Sequence, residues 1–217
     1  MINYISVQDE HIHEIEIKKS RFIAHMIPVK NETDINQCLT SIQKNHYKAN
    51  HHCFAYILEK DASIQRMGDD GEPSGTAGIP ILEVLKQKQL TYILAVVVRY
   101  FGGIKLGAGG LIRAYSQAVS ECCQKAKFIK NIDQVLVRVE LDYPQLDRFN
   151  YEISLMTPPP TQLDIIYTDK IQLQLAMNEE LYPIFYQNFI NHFNGQIIIE
   201  KTGQQTINVP TNAAELP

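Results

Sequence analysis

Near its start, the chain alternates apolar and polar residues with the period of two that is typical of strands. The strands predicted in this way are 12–18, 22–29 and 52–59. Between the second and third of them, residues 33–46 repeat apolar positions at helical spacing. Asn31 or Thr33 can cap this helix, because both side chains carry an oxygen that accepts a hydrogen bond from a backbone amide.

The middle of the chain has a turn-rich loop at 67–78, which is followed by a predicted helix at 80–88. Residues 93–98 are continuously apolar and mostly β-branched, which predicts a strand that is covered on both faces. After a group of glycines, an amphipathic pattern predicts a long helix that ends near Phe128.

The last third of the chain reads as strand, helix, strand, strand, helix and strand. The predicted strands are 135–141, 162–168, 171–177 and 196–201; the helices are 143–156 and one that runs from the cap Asn178 to the stop Asn194-Gly195. This order predicts a ferredoxin-like βαββαβ domain. Residues 204–217 are predicted to be a loose tail.

Charge divides the chain at about the same place as the pattern does. Residues 1–131 hold 16 Lys and Arg against 13 Asp and Glu, whereas residues 132–217 hold 4 against 11, so +3 and −7 sum to the net charge of −4. We therefore expect two domains, at 1–131 and 134–203. The short link at 129–134 lacks a flexible Gly/Ser composition, which predicts a limited hinge. The acidic second part argues against indiscriminate nucleic-acid binding there.

Composition also predicts where the protein works. No apolar run approaches the ~20 residues that span a bilayer, and the chain does not start with a basic segment followed by an apolar core. The four cysteines show no paired spacing, as expected for free thiols in a reducing compartment. We expect a cytoplasmic protein without a membrane partner.

Five of the eleven glycines lie in the stretch VVVRYFGGIKLGAGGLIRAY, residues 96–115. Known glycine motifs do not fit it: Ala108 stands where a Walker loop needs Lys, and Ile112 where a dinucleotide fingerprint needs Gly. No nucleophile elbow, H-E-x-x-H or C-x-x-C is present either. What remains is a flexible backbone leading into a helix, with Arg99, Lys105 and Arg113 nearby. Such a loop can bind phosphate or carboxylate; the alternative is a tight turn with solvated basic residues.

The loop at 67–78, MGDDGEPSGTAG, leaves three interpretations open. Asp69, Asp70 and Glu72 lack the spacing of a calcium loop, so a charged turn is favoured over a metal site. Ser74, Gly75, Thr76 and Gly78 can instead form a second anion-binding nest, or Ser74 or Thr76 can be a plain helix cap. Adjacent His51 and His52 face opposite sides of a strand and cannot share a zinc ion, so we expect no metal and no cofactor.

Several of these stretches together resemble the Impact/YigZ family. The matching motifs are KKSRFIA, HHCFAY, DDGEPSGTAG, the G-x-P before the apolar strand, RYFGGIKLG and GGLIRAY. The resemblance covers nearly the whole chain and implies a first domain similar to domain 2 of ribosomal protein S5, followed by the ferredoxin-like domain of the bacterial branch. The eukaryotic namesake restrains translational control by occupying a partner of a kinase that bacteria lack, so that partner cannot be carried over.

The favoured hypothesis is a non-catalytic binding protein that acts near translation, with RNA, the ribosome or a translation-associated protein as partner. Arg99 with an exposed Tyr100 or Phe101 suits RNA, since phosphate pairing then combines with base stacking; strand alternation predicts that one of the two rings only packs. The predicted binding residues are Arg99, Tyr100, Phe101, Gly102, Gly103, Lys105, Gly107, Gly109, Gly110, Arg113, His52, Asp70, Glu72, Ser74, Gly75, Thr76 and Gly78.

Two alternatives stay open. In the first, the same cleft is an enzyme site for a phosphorylated or carboxylated small molecule, with His52, Asp70 or Glu72 carrying protons. In the second, the acidic second domain docks a protein partner.

Overall fold

A computed structural model describes residues 2–216. The strands are β1 (Ile2–Val7), β2 (His11–Ile17), β3 (Ser20–Pro28), β4 (His51–Leu58), β5 (Ile64–Gly68), β6 (Ile93–Tyr100), β7 (Phe128–Leu141), β8 (Thr161–Tyr167), β9 (Ile171–Asn178) and β10 (Ile198–Thr211). The helices are α1 (Glu32–Asn45), α2 (Gly78–Gln87), α3 (Ala108–Lys125), α4 (Leu146–Ser154) and α5 (Tyr182–His192). The predicted α+β class is confirmed, because the structure contains helices and two sheets. The pairs formed among β2 to β6, and those formed among β7, β8 and β9, are antiparallel.

The chain divides into two compact units. The first unit holds Tyr4–Lys130 together with the chain from Val209 onward, and the second holds Asn131–Asn208 together with the first residues of β1. Each unit has its own apolar core.

In the first unit a sheet of five strands, in the order β2-β3-β6-β4-β5, lies between helices. Residues of one sheet face, such as Phe22 and Val97, pack with α2 and α3, while residues of the other face, such as Ile23 and Val98, pack with α1. Because β6 is central and covered on both faces, its side chains Ile93 to Val98 are all buried. Burial on both faces explains why the sequence of β6 is continuously apolar.

In the second unit, β9 lies between β7 and β8, and β10 also pairs with β7. Alternate residues of β7, such as Val135 and Val137, point into a core that α4 and α5 close with aromatic rings. The rings of Phe149 on α4 and Phe189 on α5 lie 5.0 Å apart and are tilted by 68°, an edge-to-face contact that favours association beyond simple burial.

Two short strands were missed by the pattern analysis, namely β1 and β5. The predicted link at 129–134 is also not a separate segment, because it lies inside the 14-residue strand β7. The backbone at this position is therefore part of a sheet.

The prediction of a loose tail at 204–217 is wrong, since β10 continues to Thr211. Its backbone pairs with β7, and polar side chains accompany this pairing: Gln205 donates to Gln134 at 3.2 Å, and Asn131 donates to Asn208 at 2.7 Å. An apolar pattern cannot reveal a strand whose cross-strand side-chain contacts are polar. Past this strand, Ala213 and Leu216 pack against the core of the first unit.

The packing of Leu216 gives a direct test of this end of the fold. Leu216→Ala is expected to lower the free energy of unfolding by about 1 kcal/mol, because it removes partly buried methyl groups. Urea denaturation measures the change. Leu155→Ala is the matched control, since Leu155 is 61% exposed, and its effect is expected to stay within about 0.5 kcal/mol. Equal stabilities of both variants and the parent would contradict the packing.

Candidate functional site

The glycine-rich loop connects the end of β6 to the first turn of α3. The Phe101 amide donates to Oδ1 of Asn50 at 2.8 Å, and the Gly102 amide donates to Oγ of Ser20 at 3.1 Å. Within residues 2–216, no acceptor of the chain hydrogen-bonds the amides of 103–110. The amides at the start of α3 lack intrahelical partners and carry partial positive charge. The loop amides are therefore available as hydrogen-bond donors.

Gly102 is required because another turn approaches it closely. A Cβ at this position would lie 2.0 Å from the carbonyl of Lys19, in the turn between β2 and β3. Lys18 and Lys19 both have positive φ there, 47° and 63°, as in the two-residue turns that match the twist of a hairpin. The contact brings two lysines beside the glycine loop. Neither lysine was predicted as a site residue, although a Lys-Lys pair between two alternating strands indicates an exposed basic turn.

Basic side chains of this region are exposed. Among the described residues, Lys105 and Arg113 form no ion pair. Arg113 and Lys18 line a shallow groove of about 190 Å³ with Leu106 and Gly110, at the first turns of α3. Gly107 makes the turn into the helix possible, because its φ of 74° is costly for residues with a Cβ. We call the loop 101–110 together with Lys18, Lys19 and Arg113 the basic loop surface.

Arg99 does not belong to this surface, which corrects the sequence prediction. The residue is 4% exposed, and its Nη1 donates to Oε1 of Glu72 at 2.6 Å. Glu72, predicted as a ligand contact or proton carrier, is also buried. Glu72 and Arg99 lie 27 positions apart in the sequence. In the fold they form a pair, because an unpaired buried charge costs several kcal/mol.

The carboxylate of Glu72 is the centre of a buried polar network. Besides Arg99, it accepts a hydrogen bond from the Tyr115 hydroxyl at 2.8 Å, and the Cys53 thiol lies 3.3 Å from the same hydroxyl. Burial raises the pKa of Cys53 to about 12 and also raises the pKa of Tyr115. A protonated thiol is a poor nucleophile. The network thus joins β4, β6 and α3 and does not supply a reactive group.

The guanidinium of Arg99 also lies between two aromatic rings. Its Cζ is 5.3 Å from the ring centroid of Phe22 and 5.5 Å from that of Phe101. Its Nη2 is 3.4 Å from Oγ of Ser20, while its Nε is buried without a hydrogen-bond partner among the described residues. The ring contacts are favourable cation–π interactions, so Arg99 stabilises the position of the Phe101 ring.

The second anion-binding nest is occupied by the chain itself, which corrects that prediction as well. The amides of Gly75, Ala77 and Gly78 donate to the carboxylate of Asp69 at 2.8, 3.1 and 2.8 Å. Burial raises the pKa of Asp69, but these three hydrogen bonds together outweigh it and hold the pKa below its usual value. An ionised carboxylate therefore fills the place where an external anion was predicted.

The hydroxyl residues of the same loop have other roles. Thr76 is buried, and its Oγ1 donates to the carbonyl of Pro73 at 2.6 Å. Ser74 is exposed, and neither residue caps α2, which begins after Ala77. The missed capping group is Asp69, which lies nine residues before Gly78. Capping residues are normally sought next to the helix, so spacing along the chain could not identify it.

His52 and Asp70 contact each other. The His52 amide donates to Oδ2 of Asp70 at 2.6 Å, and Nδ1 of its ring lies 3.3 Å from the same oxygen. Nε2 of His52 lies 3.2 Å from the carbonyl of His46, so both ring nitrogens are engaged. Among residues 2–216, no group of three His, Cys, Asp or Glu side chains is placed to hold a metal ion.

The two aromatic residues after Arg99 lie on different sides of the site. Tyr100 is half-buried, and its hydroxyl lies 2.9 Å from Nδ1 of His46. Phe101 is 45% exposed. Of these two rings, only that of Phe101 is therefore presented on the basic loop surface.

Burial lowers the pKa of His46, and the charges of His25 and His52 act in the same direction.

Comparison with known proteins gives the class of protein to which this site belongs. Residues 18–123, which include the basic loop surface and the Glu72–Arg99 pair, match the Impact N-terminal domain. The chain is 39% identical over 204 residues to the IMPACT family member YvyE of Bacillus subtilis, with 94% of this chain and 93% of that protein covered. It is 38% identical over 133 residues to YigZ of Escherichia coli, with 60% and 65% covered.

A solved structure, described as that of a hypothetical protein, is similar over 93% of this chain and 98% of its own, with a TM-score of 0.59 and 27% identity. The chain belongs to the IMPACT family, and the resemblance that the sequence motifs indicated is confirmed. Among the described residues, no helix combines the length and the apolar composition needed to cross a bilayer.

Removal of Arg99 is expected to destabilise the protein strongly, because it leaves the Glu72 carboxylate buried without its cation. Arg99→Ala should lower the free energy of unfolding by about 3–5 kcal/mol. Lys105→Ala is the control: it removes the same charge from an exposed position and should change stability by less than about 0.5 kcal/mol. Scanning calorimetry of both variants makes the comparison, and similar melting temperatures would contradict the buried pair.

His46 predicts a pH dependence of stability. Because its pKa is lowered in the folded protein, the unfolded chain binds a proton there more readily. The free energy of unfolding should therefore fall as the pH drops through about 6.5, until it passes the folded pKa. His46→Gln should make this fall shallower in urea titrations between about pH 7.5 and 5.5. His192→Gln, which removes an exposed histidine, serves as control; parallel curves for all three proteins would refute the assignment.

Proposed function

We propose that this member of the IMPACT family is a translation-linked binding protein whose basic loop surface binds the phosphate backbone of RNA. The observation that carries the proposal is the run of amides at 103–110 that have no acceptor among the described residues, bordered by four exposed cationic side chains. The link to translation rests on the family resemblance, and the cytoplasm as its place rests on the composition.

The electrostatics of the surface support an anionic ligand. Helix amides and the helix dipole favour negative charge at the start of α3. Lys18, Lys19, Lys105 and Arg113 add cations that have no acidic partner among the described residues. Cations of this kind release counterions from nucleic acid when they contact phosphates. A polyanion that contacts several cations at once is therefore a better ligand than a single small anion.

The contacts of the predicted proton carriers favour binding over catalysis. Glu72 is held in a buried ion pair, and both ring nitrogens of His52 are engaged by Asp70 and by a backbone carbonyl. A general base needs a free position within hydrogen-bonding reach of the substrate. The described contacts give Glu72 and His52 no such position, and Oδ2 of Asp70, the third predicted carrier, accepts from the His52 amide. These contacts support a non-catalytic function.

The finer fold assignment and the domain boundaries are part of the proposal. An antiparallel sheet between α1 and the pair α2 and α3 supports an S5 domain 2-like first domain at 1–131. The order of β7, β9 and β8, with β10 on β7, supports a ferredoxin-like domain at 134–203. A phosphate-binding surface of this kind suits the ribosome, which is rich in RNA. A translation-associated protein is the partner that the family resemblance leaves open.

The electrostatic proposal is tested by the salt dependence of RNA binding. Replacing Lys105 and Arg113 together by alanine should weaken binding to a ribosomal RNA fragment and reduce the slope of log K against log salt by about 2, one for each lost phosphate contact. Fluorescence anisotropy over a salt series measures both quantities.

A matched control removes two cations elsewhere. Lys44 and Lys48 are exposed at the end of α1, which packs on the opposite face of the sheet from α3. Their double alanine variant has the same net charge as the first one and should bind like the parent. If both variants lose affinity equally, binding follows net charge alone and the basic loop surface is not the site.

A further inference from the structure

One exposed aromatic ring on the basic loop surface is fixed in place before any ligand binds. The amide of Phe101 is held by Asn50, and the Arg99 guanidinium lies under its ring. Arg99 is itself held by Glu72. Exposed phenylalanine is otherwise unfavourable, since burial of its side chain stabilises a protein by about 2 kcal/mol. Fixing an exposed ring from behind leaves its outer side available as a flat apolar contact.

The surroundings of this ring are cationic. The Arg99 guanidinium lies 5.5 Å from the ring centroid. The backbone of the exposed Lys19 approaches the neighbouring Gly102, and the exposed Lys105 follows four residues further along the loop. An aromatic ring among cations is the combination with which proteins bind single-stranded nucleic acid: bases stack on the ring while the cations contact phosphates. In a duplex the base faces are already stacked, so this ring has nothing to contact.

We infer that Phe101 is a stacking platform for an unpaired base, so that the ligand of the basic loop surface is single-stranded RNA. The inference rests on the function proposed above and adds the class of RNA to it. A protein partner with an apolar side chain at the same ring is the competing explanation, because Ile104 and Ile112 are also partly exposed. Stacking requires an aromatic ring, whereas an apolar contact requires only apolar area.

The experiment therefore compares two replacements of the same residue. Phe101→Leu keeps most of the apolar area and removes the ring, while Phe101→Trp keeps a ring. Against an unstructured RNA oligonucleotide, Phe101→Leu should weaken binding about tenfold, the effect expected for loss of one stacked base. Phe101→Trp should bind at least as well as the parent. The slope of log K against log salt should stay unchanged in both, because no cation is removed.

Tyr47→Leu is the control for an exposed aromatic ring outside the surface: Tyr47 is 73% exposed and also has a cation near its ring, that of Lys48. It should bind like the parent. Melting temperatures of all variants show whether each is folded, and a second titration uses an RNA duplex of the same length, which the parent should bind at least tenfold more weakly.

The outcomes separate the two proposals. If the Lys105/Arg113 variant loses affinity but Phe101→Leu does not, or if the parent binds duplex as tightly as single strand, the stacking inference is wrong and the phosphate-binding function stands. If the parent binds neither RNA, both proposals fail. If Phe101→Leu instead retains RNA affinity and a protein partner from ribosomal fractions binds the parent but not Phe101→Asp, the ring is a protein contact.

Discussion

The buried ion pair between Glu72 and Arg99 is the constraint on which the geometry of the site depends. Through it, the loop after β5 is tied to the end of β6, and through Tyr115 and Ser20 the same network reaches α3 and β3. A buried pair of this kind contributes little net stability, because the desolvation of both charges offsets their attraction. Its effect is on position: four elements have to meet at one point for these hydrogen bonds to form.

The site separates into an inner part whose carboxylates are paired within the protein and an outer part without such partners among the described residues. Oε1 of Glu72 is engaged by a guanidinium and a hydroxyl, and the carboxylate of Asp69 is engaged by three amides. The outer part, with the amides of 103–110 and the exposed lysines, has no such partners among the described residues. The proposed function uses the outer part, since a group that is already paired inside the protein gains little from a ligand.

Much of the fold could be predicted from the sequence, because periodic burial marks elements such as β6 and α3 directly. The elements that were missed lack this signal: β10 has polar cross-strand contacts such as that of Gln205, and β5 is short and contains no fully buried residue. The glycine loop joins β6 to α3 as the sequence predicts, whereas Arg99 is buried and not exposed as predicted. Whether a charged residue at a strand end faces solvent or a carboxylate 27 positions away depends on the fold, and local sequence carries no record of it.

The return of the chain end to the first unit has a consequence for biosynthesis. Ala213 and Leu216 complete a core whose other members lie before residue 130. Translation proceeds from the N-terminus, so these residues leave the ribosome after those of the second unit. The first unit can acquire its sheet and helices early, but its packing is finished only after the whole of the second unit has been synthesised.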